Sequence, residues 1–210
     1  MSNRDAMKRI QGLYGIADAG ACQQDPIRGV AQLLEGGCRL IQLRCKSWSI
    51  SDLEIAGRKA ADLCKERNAT FILNDHAALV PIVGAHGVHI GQTDMSPQSV
   101  RALIGPDALI GWTTNAPEHL DDIPKDIDYM AYGPIWDSRR AGNHKDTQGL
   151  QAFHTARQKA PKGIPLVAIG GIRLPQIATV RAAGADAWAV IGAVFDTADP
   201  VATTRALVTA

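Results

Sequence analysis

Eight short apolar runs recur along the chain with longer, mostly amphipathic segments between them, and this alternation restricts the fold more than any other feature. The runs are Leu13 to Asp18, Leu40 to Cys45, Thr70 to Asp75, Gly87 to Ile90, Leu109 to Thr114, Tyr129 to Pro134, Pro165 to Gly171 and Ala187 to Phe195. Most are apolar on both faces, as parallel strands must be when helices cover one side and a core fills the other. Stretches such as Asp25 to Glu35, Ser51 to Arg67 and Leu150 to Lys159 are long enough to carry the chain back to the next parallel strand. Helix starts are expected where a capping residue meets proline, at Asp25-Pro26, Ser96-Pro97 and Asn115-Ala116-Pro117, and helix stops at Gly36-Gly37 and Gly184. No linker or charge block interrupts the pattern over 210 residues. The expectation is one α/β domain spanning 1–210, a single (β/α)8 TIM barrel.

Charge and cysteine content exclude several function classes. With 22 Lys plus Arg against 21 Asp plus Glu, the net charge of +1 supplies no basic field for nucleic acid. The long uncharged apolar stretch Ala187 to Phe195 has nine residues, short of the ~20 a membrane-spanning helix needs. Met1-Ser2-Asn3-Arg4-Asp5 leads into no apolar signal region, so the cytoplasm is the expected compartment. Cys22, Cys38, Cys45 and Cys64 form no Cys-x-x-Cys pair and read as reduced core thiols.

A barrel of this kind works at the C-terminal ends of its strands, and polar or glycine residues end nearly every run. In Gln42-Leu43-Arg44-Cys45-Lys46 the two-residue period puts Gln42, Arg44 and Lys46 on one face and Leu43 and Cys45 on the other. Arg offers a planar fork and Lys a point charge, together a phosphate or diphosphate clamp. Asn74-Asp75 ends the third run and Asp94 follows the fourth, on neighbouring strands. Two converging carboxylates call for a cation, and an all-oxygen donor set favours Mg²⁺. The structural alternative for Asp75 is a cap for a helix starting near His76. Gly170-Gly171 and Ile191-Gly192 expose backbone N–H groups where barrels commonly hold phosphate, unless the glycines serve only a tight turn. His86 and His89 read as structural, and Trp112, Trp136 and Trp188 as packing residues.

Taken together, Gln42-Leu43-Arg44-x-Lys46, Phe71-Ile72-Leu73-Asn74-Asp75, Gly87-Val88-His89-Ile90-Gly91-Gln92-Thr93-Asp94, Gly133-Pro134-Ile135 and Ala168-Ile169-Gly170-Gly171-Ile172 resemble the thiamine phosphate synthase family from about Leu13 to about Pro200. The resemblance implies a Mg²⁺-dependent transferase that joins hydroxymethylpyrimidine diphosphate to hydroxyethylthiazole phosphate by a dissociative route. It implies that Gln42, Arg44, Lys46 and Asn74 hold the pyrimidine diphosphate and that Asp75 and Asp94 bind the metal. Thr113 stands where the family usually has Ser. Gly171, Ile191 and Gly192 would hold the thiazole phosphate. These phosphorylated small molecules are the expected partners, with no nucleic acid or membrane; a homo-oligomer is compatible with the sequence.

The chain departs from the family pattern in two places. Cys45 replaces a Glu between Arg44 and Lys46, and the loop Asp137-Ser138-Arg139-Arg140-Ala141 replaces Pro-Thr-x-Thr-Lys, leaving Ala141 at the Lys position. Arg139, Arg140 and Lys145 are the candidates to restore that charge, and Ser138 and Arg140 to contact substrate. The alternatives are a thiazole tautomerase, which would need a His where this chain has Asn115, and a non-catalytic binder of phosphate ligands.

Overall fold

The computed structural model describes residues 7–137 and 146–210. Eight parallel strands, β1 (Gly12–Asp18), β2 (Leu40–Arg44), β3 (Thr70–Asn74), β4 (Gly87–Ile90), β5 (Leu109–Thr114), β6 (Tyr129–Tyr132), β7 (Leu166–Ile169) and β8 (Ala187–Val190), close into a barrel in sequence order. Closure is made by β1 against β8, with Gly12 opposite Ala187 and Gly15 opposite Val190. The expected (β/α)8 barrel is the observed fold.

The crossovers are α1 (Pro26–Glu35), α2 (Ile50–Glu66), α3 (Val80–Val83), α4 (Pro97–Ile104), α5 (Gly149–Lys159) and α6 (Ile177–Ala182), with α7 (Gly192–Phe195) and α8 (Pro200–Val208) after the last strand. Asp25 caps α1 by accepting from the Arg28 amide at 3.0 Å, and Ser96 caps α4 by accepting from the Ser99 amide at 3.2 Å, each followed by the expected proline. Among the described residues, the β5–β6 crossover carries only a 3₁₀ turn, Pro117–Leu120. Ala116, not Asn115, stands at its N-cap without a side-chain bond. A single tight turn leaves few orphan amides for Asn115 to satisfy. The run Ala187 to Phe195 is not one strand: the strand ends at Val190, and Gly192 opens a helical turn. Short uninterrupted apolar segments look alike in strands and buried helical turns, so periodicity overran the boundary.

Strand alternation produces two cores. Outward residues such as Ile41, Leu43, Phe71, Leu73, Ile110, Trp112, Met130 and Tyr132 pack under the helices. Inward residues Tyr14, Ile16, Leu40, Ile72, Leu109, Tyr129, Ala131, Val167, Ala187 and Ala189 fill the barrel. Gly111 belongs to the inward row because Tyr129 lies across it: a Cβ there would come within 2.0 Å of the tyrosine ring. At the N-terminal end, Asp128 Oδ2 accepts from the Ile110 amide at 2.7 Å and pairs with Arg101 at 2.6 Å, tying β6 to β5. Asp186 repeats the device, accepting from the Leu166 amide at 2.7 Å and pairing with Arg157 at 2.9 Å. No helix among the described residues is long and apolar enough to cross a membrane. Cys38, Cys45 and Cys64 are buried, Cys22 is half-buried, and all four are free.

Candidate active site

At the C-terminal ends of the strands a cavity of about 340 Å³ opens, polar where β2 to β5 face it. Gln42, Arg44, Lys46, Asn74, Asp75, Asp94, Thr113 and Ile191 all line it. Gly171 and Gly192 do not. Gly171 adopts a left-handed φ of 66° and lies against Trp136 and the Asp137 carbonyl, which a Cβ would approach to 2.7 and 2.8 Å. Ser138, Arg139, Arg140, Ala141 and Lys145 lie outside the described residues.

The wall has two characters. Among the described residues, its charged and amide-bearing side chains, from Gln42 and Arg44 through Asn74 and Asp75 to Asp94, with the Thr113 hydroxyl, come from β2 to β5 and the loops after them. From β6 to β8 the lining is Ala131, Val167, Ile169, Ala189 and Ile191.

Leu43 and Cys45 face the helices while Gln42, Arg44 and Lys46 face the cavity, the division expected from strand pleating. Arg44 is ion-paired with Asp18, which lies opposite it in the β1–β2 register. Asp18 is itself anchored, since its Oδ1 accepts from the Ala21 amide at 3.1 Å. Lys46 is more exposed, and its Nζ lies 3.8 Å from Asp75 Oδ2.

Asp75 takes a left-handed φ of 64°, a conformation Asp and Asn tolerate better than most side chains. Its amide donates to the His89 carbonyl at 2.9 Å, joining the end of β3 to β4. Asp75 does not cap the following 3₁₀ turn, Ala77–Leu79, whose N-cap residue is His76. Burial raises the Asp75 carboxyl above the ordinary carboxylate range, and the negative charge of Asp94 raises it further; Lys46 opposes both. Asp94 Oδ2 accepts from the Gly91 amide at 2.6 Å. Two carboxylates held this close with only partial cationic compensation fit a hard divalent cation such as Mg²⁺, which takes one or two protein carboxylates plus water and phosphate oxygens. Among the described residues no group of three or more His, Cys, Asp or Glu gathers as a metal site, so the protein's share would be these two.

Sequence reasoning missed other lining residues. His89 is buried, as expected of a structural histidine, but it also lines the cavity and contacts Thr113 through Nε2. Burial pushes its imidazole down to about 4. Tyr14 lines the cavity floor, and Gln92 bonds Thr114 Oγ1 at 3.1 Å. Asp18 was signalled by an acid ending the first apolar run, but the strand register that sets it against Arg44 is not visible in sequence.

The thiamine monophosphate synthase family matches the chain over residues 13–194. The thiamine-phosphate synthase of Thioalkalivibrio sulfidiphilus is 39% identical over 95% of both chains, and that of Laribacter hongkongensis is 36% identical over 86% of this chain and 85% of its own. Among solved structures, a thiamine phosphate pyrophosphorylase from Pyrococcus furiosus superposes with a TM-score of 0.86 at 28% identity, covering 96% of this chain and 95% of that one. On sequence and fold alike, the chain belongs to the thiamine monophosphate synthase family.

Proposed function

We propose that this protein joins hydroxymethylpyrimidine diphosphate to hydroxyethylthiazole phosphate, giving thiamine phosphate and diphosphate. The observation that carries this reading is the convergence of Arg44, Lys46, Asn74, Asp75, Asp94 and Thr113 on one cavity at the strand C-termini; family membership supports it. Arg44 and Lys46 bind the diphosphate, the first as an oriented fork and the second as a mobile charge. Breakage of the pyrimidine-methylene C–O bond sends its electron pair to the departing diphosphate, and Arg44 and Lys46 stabilise the charge growing there. The thiazole nitrogen lone pair then attacks the methylene carbon, forming the new C–N bond. Asn74 and Thr113 orient the pyrimidine half, and the apolar wall around Ile169 and Ile191 excludes water from the cationic carbon. Asp75 and Asp94 would hold Mg²⁺, which supplies Lewis-acid neutralisation of the leaving diphosphate.

The test is to mix both substrates with Mg²⁺ and the protein and look for thiamine phosphate. Formation that depends on both substrates, on Mg²⁺ and on the protein supports the reading. Binding of either substrate without turnover would instead identify a non-catalytic phosphate-ligand binder.

A further inference from the structure

A run of hydrogen bonds crosses the barrel interior beneath the cavity. Gln42 Nε2 donates to the Tyr14 hydroxyl at 2.8 Å, Tyr14 OH lies 2.9 Å from Tyr129 OH, and Tyr129 OH lies 3.0 Å from His89 Nδ1. His89 Nε2 then meets Thr113 Oγ1. Gln42, Tyr14, Tyr129 and His89 are all buried, whereas Thr113 is half-buried on the cavity wall.

The order of donors along this run follows from its first member. The Gln42 amide nitrogen can only donate, so the Tyr14 oxygen accepts, and the buried Tyr14 hydrogen, with Tyr129 as its acceptor in the run, goes to Tyr129. Tyr129 in turn gives its hydrogen to His89 Nδ1, which must therefore be bare, and the ring hydrogen sits on Nε2 and is donated to Thr113 Oγ1. Every buried hydrogen in the run then has an acceptor, as burial demands. The Thr113 hydroxyl hydrogen is the one left over, with no acceptor among the described residues and the cavity in front of it.

We propose that Tyr14, Tyr129 and His89 are positioning residues that make the Thr113 hydroxyl a donor toward the cavity, so that this wall selects a substrate ring carrying a hydrogen-bond acceptor. The proposal rests on the reading of the cavity as the pyrimidine site and identifies which edge of such a ring Thr113 meets: a ring nitrogen, not an exocyclic amino group. The opposite order of donors would turn the Thr113 oxygen lone pairs to the cavity and select an amino group.

The tautomer of His89 is the direct readout. In protein carrying ¹⁵N-labelled histidine and no substrate, imidazole nitrogen resonances should show the Nε2–H form; the Nδ1–H form would overturn the proposal. Kinetics give a second readout. Tyr129→Phe removes the donor to Nδ1 and should raise KM for the pyrimidine diphosphate about tenfold, the scale of one misdirected hydrogen bond, with KM for the thiazole phosphate unchanged. Added to Thr113→Val, the same change should cost nothing further; multiplied losses would mean that Tyr129 acts through the fold alone. Should Tyr129→Phe fold poorly, the His89 tautomer read in the unaltered protein decides the order of donors by itself. A parent protein that makes no thiamine phosphate overturns the functional reading only, because the tautomer is read without substrate and still decides the order of donors.

Discussion

Asp18 and Arg44 stand opposite each other across the β1–β2 ladder, and their side chains form an ion pair at the cavity wall, each largely shielded from solvent. The pair holds one edge of the guanidinium before any ligand arrives. Asp18→Asn keeps an acceptor for the Ala21 amide but loses the charge that orients Arg44. It should lower kcat/KM for the diphosphate substrate roughly tenfold, since a slightly misplaced binding group costs heavily in rate. KM for the thiazole phosphate should stay constant. Steady-state kinetics with each substrate varied in turn checks this, and equal losses toward both would assign Asp18 to the fold instead.

Asp75→Asn should separate stability from activity. Burial and the Asp94 charge disfavour the ionised Asp75 carboxyl in the folded protein, so at neutral pH that charge costs stability, and a neutral amide of the same shape relieves the cost. Asn also accepts the left-handed backbone, which Ala would resist at about 1 kcal/mol or more. The melting temperature without metal should rise while Mg²⁺-dependent turnover is largely lost. Thermal unfolding with and without Mg²⁺, set beside turnover, tests both halves; unchanged turnover would remove Asp75 from the metal site.

Stability should fall on mild acidification. His89 titrates near 6.5 when unfolded and near 4 when folded, because burial disfavours its charged form. Above pH 6.5 both states are neutral and no cost arises. Between pH 6.5 and 4 the unfolded chain takes up a proton that the folded one refuses, and the loss accumulates to about 3 kcal/mol. His86 is lowered for the same first reason and acts in the same direction. Urea unfolding at pH 7, 5.5 and 4.5 measures the slope, which His89→Gln should flatten.

Gly111→Ala should be among the most damaging single-methyl additions in the barrel. The new Cβ would come within 2.0 Å of the Tyr129 ring and 2.5 Å of His89 Nδ1, both fixed by hydrogen bonds. Overpacking of this kind costs about 1–3 kcal/mol even where neighbours can move. Denaturant unfolding should place this variant at or above the upper end of that range. A near-neutral result would mean that Tyr129 has room to shift.

The barrel was legible because the strands are short, most of them apolar on both faces, and the crossovers are set off by caps such as Asp25 and Ser96, all local properties. What failed was also local: Ile191 and Gly192 continue an apolar run past the end of β8, and nothing in the run itself marks the change to a helical turn. The strand-end residues Gln42, Arg44, Lys46, Asn74, Asp75, Asp94 and Thr113 could be picked out because pleating and the barrel rule assign them one side and one end. The bonds among Tyr14, His89 and Tyr129 could not, since their positions are up to 115 residues apart and only the closed strand order brings them together. Burial of His89 was a sound expectation, yet its position at the cavity floor depends on the neighbouring Gly111 having no side chain.

The two-sided character of the cavity wall bears on how such a protein can change over time. Among the described lining residues, ionic and amide groups come from β2 to β5 and the loops after them, while β6 to β8 contribute methyl and methylene surface. Exchanges such as Val167→Ile or Ala189→Val would reshape the room offered to a second substrate without disturbing a single charge. On the proposed reaction, the described surface of β6 to β8 can drift toward new acceptor molecules while the earlier strands keep the diphosphate-binding groups, and directed evolution for altered acceptors should find its gains there first.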